Sequence, residues 1–135
     1  MNRGRRIRRR FPIAAPVPVL WAAFGIGVHA VDHLIVPLVP PSGWNVGTVY
    51  HLVSAPVYAA MILPVLAGRR WARVVMTVLL GGQFAGRFVV WVLFPETGAR
   101  LALLAGWAVS IAVLVLLWAP GSARRYFSRR PTERP

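Results

Sequence analysis

The chain has 135 residues, of which 57% are hydrophobic and only 14% charged, yet its net charge is +13. A soluble domain typically carries about 25% charged residues, so the composition argues against a single soluble core. Cysteine is absent from the sequence, which excludes disulfides, thiolate metal sites and thiol catalysis.

The hydrophobic residues form four runs, each close to the about 20 residues that a helix needs to cross a bilayer. In chain order we expect spans at residues 17–36, 49–66, 74–94 and 101–118, with breaks at Pro40–Gly43, Gly68 and Pro95. Short connections predict an all-α membrane protein with four transmembrane helices in an antiparallel bundle. Residues 1–16 and 119–135 are predicted to be basic tails outside the bundle, without ordered structure.

The arginines predict the orientation of these spans. Every basic residue is an arginine, and all but Arg87 and Arg100 lie in the two tails or in the loop at 68–73. Cytoplasmic segments carry the excess of positive charge, so both termini are expected in the cytoplasm, in a bacterial cytoplasmic (inner) membrane. Arginines that flank apolar spans suit anionic lipid headgroups. Nucleic acid is not expected as a partner, because its binding needs a basic folded surface.

The first span has an alternative interpretation as a cleaved signal peptide. A basic segment and an apolar run precede Val28-His29-Ala30, which resembles a cleavage site with small residues. The apolar run continues through Leu34-Ile35-Val36, and this favours a retained span.

Polar residues recur at helical spacing within three of the spans. His29, Asp32 and His33 share one face of the first span, His51, Ser54 and Tyr58 one face of the second, and Gln83 and Arg87 one face of the third. At about 1.5 Å per residue, these groups lie at overlapping depths. We therefore expect them to converge on a ligand or proton site made of His29, Asp32, His33, His51, Tyr58, Gln83 and Arg87.

Asp32 and Arg87 are the only acid and the only base within the spans. A charge without a partner in hydrocarbon is costly, so the sequence predicts a buried Asp32–Arg87 ion pair between the first and third helices. Such a pair fixes helix register, or it takes part in proton transfer or ligand binding.

Metal and haem are alternative occupants of this cluster. His29 and His33 at i, i+4 can share one metal ion, with His51 or Asp32 as a further ligand, and nitrogen and oxygen ligands suit zinc, copper(II) or nickel. Haem could lie between His29 or His33 and His51. Arg87 would repel a cation, so the metal stays unknown and no resident cofactor is expected.

Small residues also recur at helical spacing, at Gly82 and Gly86 in the third span and at Ala102, Gly106 and Ser110 in the fourth. They predict close helix packing, within this bundle or in a homo-oligomer. No catalytic residue is predicted, because no phosphate loop, GxSxG, HExxH or pair of intramembrane carboxylates is present.

The stretch Gly68-Arg69-Arg70-Trp71-Ala72-Arg73-Val74-Val75, together with Leu116-Leu117-Trp118-Ala119-Pro120 and Tyr126-Phe127, resembles the small four-helix integral membrane proteins of the actinobacterial type. The resemblance covers the C-terminal half and implies the fold, and it assigns no functional residue.

We therefore expect a non-enzymatic accessory, assembly or packing partner of a membrane complex. The alternative is a metal-, haem- or proton-binding, transport-related protein that uses His29, Asp32, His33, His51 and Arg87. A small multidrug carrier fits less well, because such carriers commonly use a membrane-embedded glutamate, which these spans lack.

Overall fold

The computed structural model describes residues 14–38, 44–93 and 95–128, and this part of the chain contains helices and no strand. The helices are α1 (Val17–Ile35), α2 (Val46–Leu66), α3 (Arg70–Leu93), α4 (Thr97–Trp118) and α5 (Gly121–Ser128), with a single 3₁₀ turn at Val36–Leu38 after α1. Four of them, α1 to α4, are long and apolar enough to cross a membrane. The predicted all-helical class and the four membrane-length helices are confirmed. The predicted break at Pro40–Gly43 and most of the two basic tails lie outside the described residues.

Three helices, α2, α3 and α4, begin three or four residues earlier than the hydrophobic runs indicate, because small or polar residues form part of their first turns. Asn45 caps α2 by accepting the Thr48 N–H at 3.0 Å, so that helix starts before Val49. The turn between α2 and α3 needs only Ala67, Gly68 and Arg69, since Gly68 has φ +65°, a left-handed conformation that glycine adopts at little cost. Arg70 and Arg73, which the sequence places in the loop at 68–73, therefore lie in the first turn of α3.

The central helix is α1, which contacts α2, α4 and α5. Its apolar stretch is 44% buried inside the protein, whereas the other three membrane-length helices reach at most 22%. A Cβ on Gly25 would come within 2.5 Å of Val113 Cγ2, so the missing side chain allows α1 and α4 to approach closely.

The remaining helix surfaces are largely apolar and exposed. Leu63, Val78 and Val92 are examples, each more than two-thirds exposed. Large continuous apolar surface is unusual on a soluble monomer, but it is the normal surface of a protein whose helices face lipid. Together with the helix lengths, this pattern indicates a multi-pass membrane protein.

Helix α5 corrects the expectation that residues 119–135 are without ordered structure. Ala123 and Phe127, four residues apart, are both fully buried. Arg70 at the start of α3 donates from Nε to the Phe127 carbonyl and from Nη2 to the Ser128 carbonyl, each at 2.9 Å. Tyr126 donates its hydroxyl to the Leu66 carbonyl at 2.6 Å. The basic composition of this segment gave no indication of a short amphipathic helix, which is capped by Arg70 of α3.

Candidate functional site

Seven polar side chains from α1 to α4 meet inside the bundle and form two hydrogen-bonded groups. We call Tyr58, Gln83, His33 and His51 the histidine chain, and Arg87, Ser110 and His29 the arginine chain. Most of these side chains are buried, and His51 is half-buried. Six of the seven residues predicted to converge, all but Asp32, are in these two groups, and Ser110 adds a fourth helix, α4.

The histidine chain has a defined direction. Tyr58 donates its hydroxyl to Gln83 Oε1 at 2.8 Å, Gln83 Nε2 lies 3.1 Å from His33 Nε2, and His33 Nδ1 lies 2.7 Å from His51 Nδ1. An amide nitrogen only donates, so His33 Nε2 accepts and the neutral ring carries its proton on Nδ1. His33 Nδ1–H then donates to His51 Nδ1, and neutral His51 carries its proton on Nε2. Every donor points from Tyr58 towards His51.

Aromatic contacts hold the rings of this chain in place. The Tyr58 ring stacks on the His33 ring, with centroids 5.2 Å apart and planes 14° apart. Tyr50 packs edge-on against both His33 and His51, at centroid distances of 5.6 and 5.5 Å. Packed rings have few alternative rotamers, so the hydrogen-bond geometry is preorganised.

The arginine chain lies beside it and is joined to it by the contact of the His29 and Tyr58 rings, 5.6 Å apart. Arg87 Nη1 donates to Ser110 Oγ at 2.9 Å, and Ser110 donates to the Gly106 carbonyl at 2.9 Å. Because the single hydroxyl hydrogen is used in this way, His29 Nε2, at 3.2 Å, is the donor to Ser110 Oγ. The Ser110 hydroxyl thus makes one donated and two accepted bonds.

Gly106 makes room for Arg87. A Cβ on this residue would overlap the Arg87 guanidinium, so the group lies against bare helix backbone. Gly106 and Ser110 were predicted as helix-packing residues, and the structure gives both a contact with the arginine instead. A small residue and a hydroxyl, four positions apart in an otherwise apolar helix, were the available sequence signal.

The structure does not bring Asp32 and Arg87 together. Asp32 is exposed in the apolar groove between α1 and α2, and within the described residues no ion pair joins it to Arg87. The reason is helical geometry: at about 100° per residue, His33 lies about 40° to one side of His29 and Asp32 about 60° to the other. With both histidines turned into the bundle, the aspartate faces outward.

The histidines are arranged for hydrogen bonds and not for sharing a metal. A metal ion bound at about 2.0–2.1 Å from each of two imidazole nitrogens holds those nitrogens further apart than a hydrogen bond does. His33 and His51 are 2.7 Å apart at Nδ1, and His29 bonds to Ser110 in the neighbouring chain. In the described parts of the sequence, no group of three or more His, Cys, Asp or Glu side chains is placed to hold a metal ion.

The other small residues predicted for packing face away from the bundle. Gly82 and Gly86 are exposed, and a Cβ on either would meet nothing within 4 Å. Ala102 is also exposed. The close approach inside the bundle occurs at Gly25 and at Gly106, so packing of Gly82 and Gly86 within this bundle was a wrong expectation.

Comparison with known proteins adds no relative from which a role could be transferred. No protein-family model, no curated protein and no solved structure matches the chain.

Proposed function

We propose that this protein binds protons inside the membrane, at the pair His33–His51, as part of a transport-related function. The observation that carries the proposal is the unbroken hydrogen-bond chain from Tyr58 through Gln83 and His33 to His51. Histidine is the side chain that most readily changes charge near neutral pH, and ionisable groups inside membrane bundles commonly serve proton or ion pathways.

The half-buried position of His51 supports an exchange of protons with water. His33 is fully buried, whereas His51 lies in the second turn of α2, near the start of that helix. One hydrogen bond joins the two rings, so the pair links a more accessible histidine to a buried one.

We further propose a bacterial cytoplasmic membrane as the location, with an antiparallel bundle and both termini on the cytoplasmic side. The support is the placement of arginines, which are concentrated in the tails and around the α2–α3 turn. In this orientation the histidine chain lies in the outer half of the bilayer.

The test of proton binding is nitrogen NMR of ¹⁵N-histidine-labelled protein in lipid nanodiscs, across the pH range in which histidine ordinarily titrates. We expect the His33–His51 pair to change from two neutral rings to a state with one added proton in a single coupled step. His51→Phe should uncouple that step, whereas Asp32→Asn, which removes a nearby charge but no member of the hydrogen-bond chain, should leave the two rings coupled. Rings that stay in a single state over the whole range in folded protein would refute proton binding.

A second candidate function, docking of a membrane partner or a second copy, is favoured by the exposed Gly82–Gly86 face of α3. Faces with glycine every fourth residue allow two transmembrane helices to approach closely, and no described residue lies within 4 Å of a Cβ added at either glycine. Gly86→Leu should then shift the native-gel migration of gently solubilised complexes, whereas Ala108→Leu, on an exposed site of α4, should not. Unchanged migration of both variants would count against docking.

A further inference from the structure

Gln83 occupies the one position in the histidine chain where the direction of hydrogen bonding can be reversed. We propose that Gln83 is a positioning residue: its amide turns over when the His33–His51 pair takes up a proton, and this reverses the hydrogen bond to Tyr58. The inference rests on the proposed proton binding and names the residue that gates it.

In the neutral pair, both nitrogens that lack a proton are already occupied as acceptors. His33 Nε2 accepts from the Gln83 amide, and His51 Nδ1 accepts from His33. A proton from bulk water that forms a new N–H bond at either nitrogen would therefore face an existing donor at hydrogen-bond distance.

The two positions differ in how the clash can be relieved. A proton added at His51 Nδ1 would place two N–H groups face to face across 2.7 Å. Only separation of the two packed histidine rings would relieve this clash. A proton added at His33 Nε2 clashes with the Gln83 amide, and a rotation of that amide by about 180° relieves the clash. The rotation is about the terminal torsion of the side chain, which is broad and two-fold. Oxygen and nitrogen exchange places with almost no change of shape, so the rotation requires little repacking.

The rotated amide restores both of its hydrogen bonds with their direction reversed. His33 Nε2–H donates to Gln83 Oε1, and Gln83 Nε2 donates to the Tyr58 oxygen. His33 Nδ1–H still donates to His51, so the added proton rests on His33 as an imidazolium. Tyr58 changes from a donor to an acceptor, and its O–H no longer points at Gln83.

The charged and titratable groups around the pair come from three helices. Helix α1 contributes His29 and Asp32, α2 contributes Tyr50 and Tyr58, and α3 contributes Arg87. Arg87 opposes a cation on His33 and Asp32 favours it, but neither is hydrogen-bonded to the pair. Among the described residues, only Gln83 makes a hydrogen bond to both His33 and Tyr58.

The test reads Tyr58 and the histidines separately in the same nanodisc samples. Ultraviolet resonance Raman spectroscopy distinguishes a tyrosine hydroxyl that donates from one that accepts, and Tyr58→Phe assigns the signal against Tyr50 and Tyr126. We expect the Tyr58 signal to change from donor to acceptor at the same pH at which the ¹⁵N spectra show His33 becoming cationic. Tyr50→Phe is the matched control and should leave this change in place.

The variant Gln83→Met, which keeps the length of the side chain and removes the amide, should abolish the Tyr58 change and weaken proton uptake by His33, because no amide oxygen is left to accept from the His33 Nε2–H. If this variant does not fold, the wild-type titration decides alone. A cationic His33 with Tyr58 still a donor overturns the amide switch and leaves proton binding standing. Histidines that never become cationic overturn both.

Discussion

A buried guanidinium in a membrane bundle needs either a counter-charge or neutral hydrogen-bonding groups in a closely fitting site. Arg87 lies in a site of the neutral kind. Its hydrogen bond goes to a neutral hydroxyl, that of Ser110, and its plane lies against the bare backbone at Gly106. The close fit depends on the missing Cβ of one residue, so the arginine and the glycine should be energetically coupled.

This coupling makes a prediction for Gly106→Ala. The added Cβ would overlap the Arg87 guanidinium, so we expect a loss of about 1–3 kcal/mol of unfolding free energy, the usual range for overpacking. Gly82→Ala, where a Cβ meets nothing, is the control and should be neutral or stabilising. Unfolding in mixed micelles measures both.

A double-mutant cycle isolates the contact. In the Arg87→Met background the Gly106→Ala penalty should shrink, because the clashing group has gone. Equal penalties with and without the arginine would show that the guanidinium does not rest on Gly106.

Asp32 provides the opposite prediction. The carboxylate is exposed, and no ion pair links it to Arg87 in the described part of the chain. We therefore expect Asp32→Asn to change the unfolding free energy by no more than about 0.5 kcal/mol, whereas Arg87→Met should cost more because it removes the buried hydrogen bond from Arg87 to Ser110. Unfolding in mixed micelles tests this, and equal losses in the two variants would indicate that the ion pair does form.

At the scale of helices, the sequence predicts the length of each membrane-spanning helix but not the rotation of the helix about its own axis. Hydrophobic runs predict four spans because crossing a bilayer requires long apolar segments. They do not indicate which face of a helix turns inward, because lipid is as apolar as the bundle core. Asp32 and the Gly82–Gly86 face were therefore placed inward by the sequence, and the structure has them outward. Polar side chains do distinguish the lipid-facing side of a helix from its inward side. For this reason the sequence correctly predicted an inward position for His29, His33, Gln83 and Arg87.

Helix α5 makes a prediction about local stability. Arg70 caps α5 by donating hydrogen bonds to the last two carbonyls of that helix. We therefore expect Arg70→Ala to release this short helix and to expose the peptide bonds at Arg124–Arg125 to trypsin. Arg69→Ala is a matched control, since it removes the same charge from an exposed residue without a hydrogen bond to α5. Cleavage at the same rate in both variants would mean that Arg70 does not hold α5.

For the whole molecule, burial of apolar surface cannot select one arrangement of helices in lipid, so specific contacts must do so. The two polar chains supply such contacts between all four membrane-length helices, and Gly25 and Gly106 allow the close approaches. The tertiary structure and the proposed proton site thus depend on the same side chains. For this reason spectroscopic readouts, and not stability alone, are needed to separate their roles.

The arrangement across the membrane can be tested cleanly, because the chain contains no cysteine of its own. A cysteine introduced at Gly98, at the start of α4, and one at Ser122, in α5, are separated by one membrane-length helix. We expect a membrane-impermeant maleimide to label Gly98→Cys in intact cells, and Ser122→Cys only after permeabilisation, because the positive-inside rule predicts a cytoplasmic position for the arginine-rich α5 side. Labelling of both from the outside would contradict the crossing of α4. The reverse pattern would keep the crossing and invert the orientation, which would place the histidine chain in the cytoplasmic half of the bilayer.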